Sequence, residues 1–319
     1  MAVVASASEQ RLPNGVLLIV EPRPATETVA VRLAVAGGDL DDSIARRAVP
    51  RLHAALLLRG SKEKSGFALA RAAEELGGRL TCVSKPLAEL LSVTVPAENA
   101  EPAIRLVAET FFSPRLDAAD LEKEKTLLSS ALATERDQPS THRRDELYRS
   151  LFGNHPLSRL ALPSNEEVRA VSVEEVRAFH RTRLEGDRLA LLVVGRCDVS
   201  RIQALAAELF RALPAGPAGP ERGWKHAILP PPPPLKADLS RRVKQRTTQP
   251  EMTIALPTAG ISDAEQPAFV LLSHVLGGFQ ERLYKEIREK RGWAYAVDAR
   301  GENFPGAGLF EVTTGAKKK

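Results

Sequence analysis

Two polar side chains near the end of this chain have types and a spacing that could assist a reaction. Arg288 brings several fixed N–H donors, and the hydroxyl of Tyr295, seven residues later, can donate to a developing oxyanion. On residue types alone, the better explanation is a surface arginine followed by a tyrosine that fills a strand position. Cys82 and His155 could also do chemistry, but no motif places a base or a nucleophile beside either of them.

The segment 51–61 closely resembles the zinc-site helix of the pitrilysin/insulinase metallopeptidases, where His-x-x-Glu-His precedes an apolar run and Arg-Gly-Thr/Ser. In such a helix, residues four apart lie on one face, so both histidines reach one metal ion. Arg51 and Ala55 stand at the histidine positions here, and Ala54 stands at the glutamate position. A guanidinium cannot ligate zinc, and a methyl group has no donor atom. His53 lies roughly 200° around the helix from Arg51, so we interpret it as a packed or hydrogen-bonded residue.

The third zinc ligand of the resemblance is also replaced. In that family a second helix supplies a glutamate, and the corresponding segment here, 121–131, has Ser130 in its place. The resemblance therefore implies that three ligands and the general base are missing together. We interpret the first half of the chain as a pseudoenzyme half. We expect no metal and no cofactor in this chain, and we expect zinc in a partner chain.

The resemblance covers nearly the whole chain and implies its fold class. The turn Asn14-Gly15 predicts a hairpin, and Ser172 with Glu175 predicts a capping box. Further predicted elements are strands over 28–36, 80–84, 90–95 and 189–195, and a helix over 65–76 closed by Gly77 and Gly78. The implied fold is α+β: two repeated pitrilysin-like units, each an antiparallel-rich sheet with helices packed on one face, the second incomplete in this chain.

A second segment, 277–295, closely matches the signature of the second domain in that family. There, an arginine and a tyrosine seven residues apart bind the substrate backbone and help to polarise the scissile carbonyl opposite the metal. The resemblance implies these substrate-binding roles for Arg288 and Tyr295. An internal repeat, which pairs 78–81 with 292–295, places Thr81 where Tyr295 stands in the second unit.

Length and composition predict a globular protein of two domains, since the 319 residues are 43% hydrophobic and 27% charged. We predict a pitrilysin-like domain with a degenerate zinc site over 9–213 and a Pro/Gly-rich linker over 214–235. Residues 236–319 are then the N-terminal part of a second pitrilysin-like domain that carries the Arg-Tyr pair. Because this part is much shorter than the first domain, we expect a fragment, or a separate segment that completes it.

The charge pattern of the chain indicates which kinds of partner it could bind. The net charge is +5, with basic clusters at 241–246 and 288–291. No known nucleic-acid motif accompanies them, so we expect no nucleic-acid partner, although a basic rim facing an acidic partner or peptide stays open.

Cys82 and Cys197 fit a reducing compartment, and Cys82 is expected to be an inert thiol on a strand. With neither a signal peptide nor a transmembrane run visible, the cytoplasm is the expected location.

These observations leave three functional hypotheses. The first is a non-catalytic subunit of a two-chain zinc peptidase, which closes the peptide chamber and supplies Arg288 and Tyr295 to a zinc-bearing partner. Its substrate is a peptide or an unfolded polypeptide, and the sequence leaves heterodimer and homodimer open. The second is a structural or assembly protein that has the peptidase fold and no role in proteolysis. The third, an enzyme with other chemistry at Cys82 or His155, is the weakest because no base–nucleophile pair supports it.

Overall fold

The computed structural model describes residues 7–41, 46–216, 228–235, 239–243, 250–258, 260, 264, 266–277 and 281–316. Several sequence predictions fall partly outside these residues: the linker at 217–227, the basic cluster at 244–246 and the second-domain signature at 278–280. The second predicted domain, 236–319, is likewise described only in part. The chain divides into two compact units. Unit 1 comprises Met1–Ala131 and Pro163–His226, and unit 2 comprises Leu132–Leu162 and Ala227–Lys319.

Strands and helices follow one another in runs along the described residues. The strands are β1 Ser8–Arg11, β2 Leu17–Pro22, β3 Thr28–Ala36, β4 Thr81–Ser84, β5 Ala88–Pro96, β6 Leu189–Gly195, β7 Glu251–Thr258, β8 Ala294–Phe304 and β9 Ala307–Ala316. The α-helices are α1 Val49–Leu57, α2 Gly66–Glu75, α3 Ala100–Phe112, α4 Ala118–Arg136, α5 Pro139–Phe152, α6 Asn165–Ala170, α7 Val173–Arg181, α8 Val199–Phe210 and α9 Gln266–Leu276. A π-helical segment, Tyr284–Glu289, precedes β8.

The sheet of unit 1 has the strand order β1-β2-β6-β3-β5-β4. Only the pair of β2 and β6 is parallel, so the sheet is antiparallel-rich as predicted. Every second residue of β3 points into the core, because strand side chains alternate between faces. The inward-facing residues of β3 pack with apolar residues of α3 and α8 in the hydrophobic core, and they are Val29, Val31, Leu33 and Val35.

Short polar signals set the ends of several elements where the sequence predicted them. Ser65 caps α2 by accepting a hydrogen bond from the N–H of Ala68, and Gly77 ends the helix at a φ of +79°. The capping box of Ser172 and Glu175 is present at the start of α7. The capping prediction is therefore confirmed, and α7 is positioned by it.

Unit 2 is built on a three-stranded antiparallel sheet in the order β7-β9-β8. The same order occurs within unit 1 as β3-β5-β4, so the internal repeat found in the sequence corresponds to a repeated three-strand topology. Helix α5 belongs to unit 2. It is held there by the Arg144 guanidinium and the Tyr148 hydroxyl, which donate to the Glu302 carboxylate at 2.9 and 2.6 Å.

Part of the predicted linker is anchored in unit 2. The N–H of Leu229 donates to the carbonyl of Pro305 at 2.7 Å, and Nε2 of His155 donates to the carbonyl of Pro230 at 2.8 Å. Residues 132–162 also belong to unit 2, although they fall within the first predicted domain. Sequence repeats and packing units need not coincide, so the boundaries at 213 and 236 stay predictions.

Candidate functional site

Helix α1 carries three of the positions where the resemblance expects the zinc machinery. Pro50 lies in its first turn, where a missing N–H does no harm. The Nε of Arg51 donates to Oδ2 of Asp39 at 3.4 Å, and the hydroxyl of Ser84 donates to Oδ1 of the same carboxylate at 2.7 Å. Ala54 is buried in the core. The guanidinium thus forms an ion pair at a position where a zinc site would require an imidazole.

Ser130 lies on α4 with its side chain exposed. Its hydroxyl donates to the carbonyl of Thr126, one helical turn earlier, at 3.0 Å. Across the described residues, no group of three or more His, Cys, Asp and Glu side chains is arranged to hold a metal ion. The donor set at Arg51, Ala54, Ala55 and Ser130 therefore does not fit zinc.

His53 lies on the core side of α1 and is fully buried. Its Nδ1 is 2.8 Å from Oε2 of Glu89 on β5, and its Nε2 is 3.0 Å from Nδ1 of His180 on α7. The edge of the His53 ring also packs against Phe179, with ring centroids 5.0 Å apart. The interpretation of His53 as a hydrogen-bonded core residue is confirmed.

Glu89, His53 and His180 form one buried chain of hydrogen bonds, which we call the Glu–His–His chain. Glu89 is 1% exposed and His180 is 6% exposed. Burial, together with the nearby His53 and Arg181, lowers the pKa of His180 to about 3. A neutral His180 can donate from Nδ1 to Nε2 of His53, which leaves Nδ1–H of His53 to donate to the Glu89 carboxylate. The chain ties α1, α7 and β5 together.

Sequence reasoning missed Glu89 and His180 as partners of His53. Glu89 is the one charged residue of β5, and a lone carboxylate in a largely apolar strand indicates a buried partner because an unpaired buried charge is costly. No pattern in the sequence identifies that partner. The three residues are brought together by the packing of α7 on α1 and of α1 on β4 and β5.

A second buried ion pair lies in unit 1. Arg183 is 1% exposed, pairs with Asp41, and stacks over the ring of Phe179 at 4.1 Å from its centroid. A Cβ at Gly37 would lie 2.8 Å from this guanidinium, and Gly37 has a φ of +97°, so only glycine fits there. The pair supports the ends of β3 and α7.

Arg288 and Tyr295 are in contact. The Arg288 guanidinium lies 4.6 Å from the centroid of the Tyr295 ring and 4.8 Å from that of the buried Tyr284 ring. Tyr295 is 69% exposed and lies where the register of β8 shifts between Ala294 and Val297. Bulges of this kind re-aim side chains and are common beside active sites. An arginine held between two rings presents its N–H groups in a restricted direction.

The remaining sequence candidates have structural roles. Thr81 donates to the carbonyl of Ser92 at 3.3 Å, so its hydroxyl stabilises the sheet edge. His155 accepts the N–H of Leu157 at 3.1 Å through Nδ1, while its Nε2 binds Pro230. Burial and the nearby Glu89 raise the pKa of the Cys82 thiol well above its usual value, as expected of an inert cysteine.

Two family models match the chain. One, "Insulinase (Peptidase family M16)", matches residues 17–163, and the other, "Peptidase M16 inactive domain", matches residues 170–319. The chain belongs to peptidase family M16, the pitrilysin/insulinase family. The resemblance inferred from residues 51–61 and 277–295 is therefore confirmed, and so is the α+β, pitrilysin-like fold.

Relatives and solved structures agree with M16 membership. An uncharacterized zinc protease of Mycobacterium leprae is 26% identical over 311 residues, which cover 97% of this chain and 68% of that protein. The structure of a peptidase M16 inactive domain from Pseudomonas fluorescens matches with a TM-score of 0.87 at 24% identity, covering 98% of this chain and 74% of that one. A protease from Helicobacter pylori matches with a TM-score of 0.85 at 14% identity, with coverage of 99% and 76%. The two structures establish the fold.

Within the portions of the chain that the structure describes, no helix combines the length and the apolar character needed to cross a bilayer.

Proposed function

We propose that this M16 chain is the non-catalytic subunit of a two-chain zinc peptidase. The observation that carries the proposal is a contrast between two sites within the chain. The positions of the zinc ligands hold Arg51, Ala55 and Ser130, none of which is a usual zinc ligand in proteins, whereas Arg288 and Tyr295 are both present and in contact with each other.

The role of this chain in the proposed reaction is to bind the substrate. The guanidinium of Arg288 donates to carbonyl oxygens of the peptide backbone, and the hydroxyl of Tyr295 donates to the oxygen on which negative charge develops. Zinc and the general base belong to a second M16 chain with an intact His-x-x-Glu-His motif. The two chains enclose a chamber that admits peptides or unfolded polypeptides, and the cytoplasm is the proposed location.

Reconstitution with a zinc-bearing chain tests this proposal. An M16 chain with His-x-x-Glu-His from the same genome is purified alone, and the hydrolysis of a quenched fluorescent peptide is measured with and without this chain. We expect co-elution of the two chains and at least roughly a 100-fold increase in kcat/KM, the size of effect that a transition-state donor supplies. A zinc-bearing chain that is fully active alone and unchanged on mixing would refute the proposal. That result would favour the structural or assembly role instead.

A further inference from the structure

We infer that this chain selects peptides with acidic side chains through a surface next to Tyr295. The inference rests on the proposed function, because it names the class of peptide that the same site prefers. The surface consists of Arg288, Arg291, Trp293 and Tyr295, and we call it the arginine–aromatic surface. It lies entirely within unit 2, where the π-helical segment leads into β8.

Exposed aromatic rings are the first observation. Trp293 is 59% exposed and Tyr295 is 69% exposed, although large rings gain most from burial. A guanidinium lies over each ring: that of Arg291 is 4.9 Å from the Trp293 ring centroid, and that of Arg288 is 4.6 Å from the Tyr295 ring centroid. Exposed rings paired with arginine are typical of binding surfaces.

The charges of Arg288 and Arg291 are the second observation. Among the described residues, no carboxylate lies within 4.0 Å of the Arg288 or Arg291 guanidinium, although the exposed Glu286, which pairs with Lys290, also interacts with Arg291 at longer range. Stacking occupies the face of a guanidinium and leaves its N–H groups in the plane, where they can bind a carboxylate in a bidentate manner. Both arginines thus keep in-plane N–H groups available to the carboxylate of a bound peptide.

The strand geometry favours a peptide over a nucleic acid. β8 is an outer strand of the sheet β7-β9-β8, so an extended peptide can lie along it next to Tyr295. Asp298 is exposed further along the same strand. Its carboxylate would repel a continuous phosphate backbone but would tolerate a peptide whose acidic residues are confined to the segment near Arg291.

Direct binding to this chain tests the inference without the partner. The chain has two tryptophans, so a W224F background makes Trp293 the only one that reports on binding. Two peptides of equal length are titrated, one with two glutamates and one with glutamines at the same positions. We expect the glutamate peptide to bind about tenfold more tightly, with the preference reduced as ionic strength rises from about 0.05 to about 0.5 M.

Variants and a competitor sharpen the test. R291A, read by anisotropy of the labelled peptides, should abolish the preference, while R71A, which removes an exposed arginine in unit 1, should leave it intact. Equal affinity for both peptides, or tighter binding of a single-stranded oligonucleotide than of the glutamate peptide, would overturn the inference. If this chain prefers the glutamate peptide but does not stimulate the zinc-bearing chain, only the proposed function is refuted. If it stimulates the zinc-bearing chain but binds both peptides equally, only this inference is refuted.

Discussion

Replacing His53 with leucine is expected to lower the free energy of unfolding by about 3 kcal/mol, because a buried carboxylate loses its hydrogen-bond donor and is left unsatisfied. Glu89 is the group left unpaired, since its carboxylate is 1% exposed and is bonded to Nδ1 of His53. Urea unfolding followed by circular dichroism measures the change. H142L is the matched control, because His142 is exposed on α5, and we expect a change within about 0.5 kcal/mol.

The double variant H53L/E89L distinguishes the free-energy cost of lost packing from the cost of leaving the Glu89 carboxylate unpaired. It should be more stable than H53L alone by about 1–3 kcal/mol, since removing both partners of a buried polar pair avoids the desolvation penalty of the one left behind. If the effects of H53L and E89L simply added, the two residues would not be energetically coupled. The Glu–His–His chain would then have no special role in joining α1 to the sheet.

Arg288→Ala is expected to lower kcat/KM of the reconstituted two-chain enzyme by about 100-fold, the effect of removing one donor to the transition state. The stacked position of Arg288 between Tyr284 and Tyr295 gives the reason, because the rings hold the guanidinium in one orientation. Arg288→Lys should restore little of the lost activity, since an ammonium neither stacks as a plane nor donates in parallel pairs. Steady-state kinetics with a short peptide measures both variants.

Controls decide what a loss of activity by Arg288→Ala means. R71A should retain full activity, since the Arg71–Glu75 pair lies on the exposed surface of α2. Gel filtration should show the complex between the two chains unchanged in both variants. Activity of Arg288→Ala within about twofold of the unsubstituted chain would argue that Arg288 is only a packing residue, because a donor to the transition state contributes far more.

Local signals predicted much of unit 1. The alternation in 28–36 and the apolar run at 189–195 correspond to β3 and β6, and Ser65 with Gly77 set the ends of α2. These predictions succeed because strand alternation and helix capping depend on residues close together in the chain. The replaced ligands could likewise be identified by residue type, since neither a guanidinium nor a methyl group can bind zinc.

Contacts between distant residues could not be predicted. His53 meets Glu89 across 36 residues and His180 across 127 residues, and only the packed helices bring them together. Helix α5 contacts the sheet of unit 2 through Tyr148 and Glu302, which are 154 residues apart in the sequence. Sequence spacing also gave no indication that Arg288 contacts the rings of both Tyr284 and Tyr295, because the register shift in β8 next to Tyr295 has no signature in the sequence.

Zinc content of the purified chain is the most direct test of the central claim that this M16 chain holds no catalytic metal. The chain is incubated with excess zinc, passed through a desalting column, analysed by atomic emission, and assayed alone for peptide cleavage. We expect far less than one zinc per chain and no hydrolysis that a chelator removes, since no ligand set for the metal exists at Arg51, Ala55 and Ser130. Stoichiometric zinc, with cleavage that chelation abolishes and added zinc restores, would contradict the account.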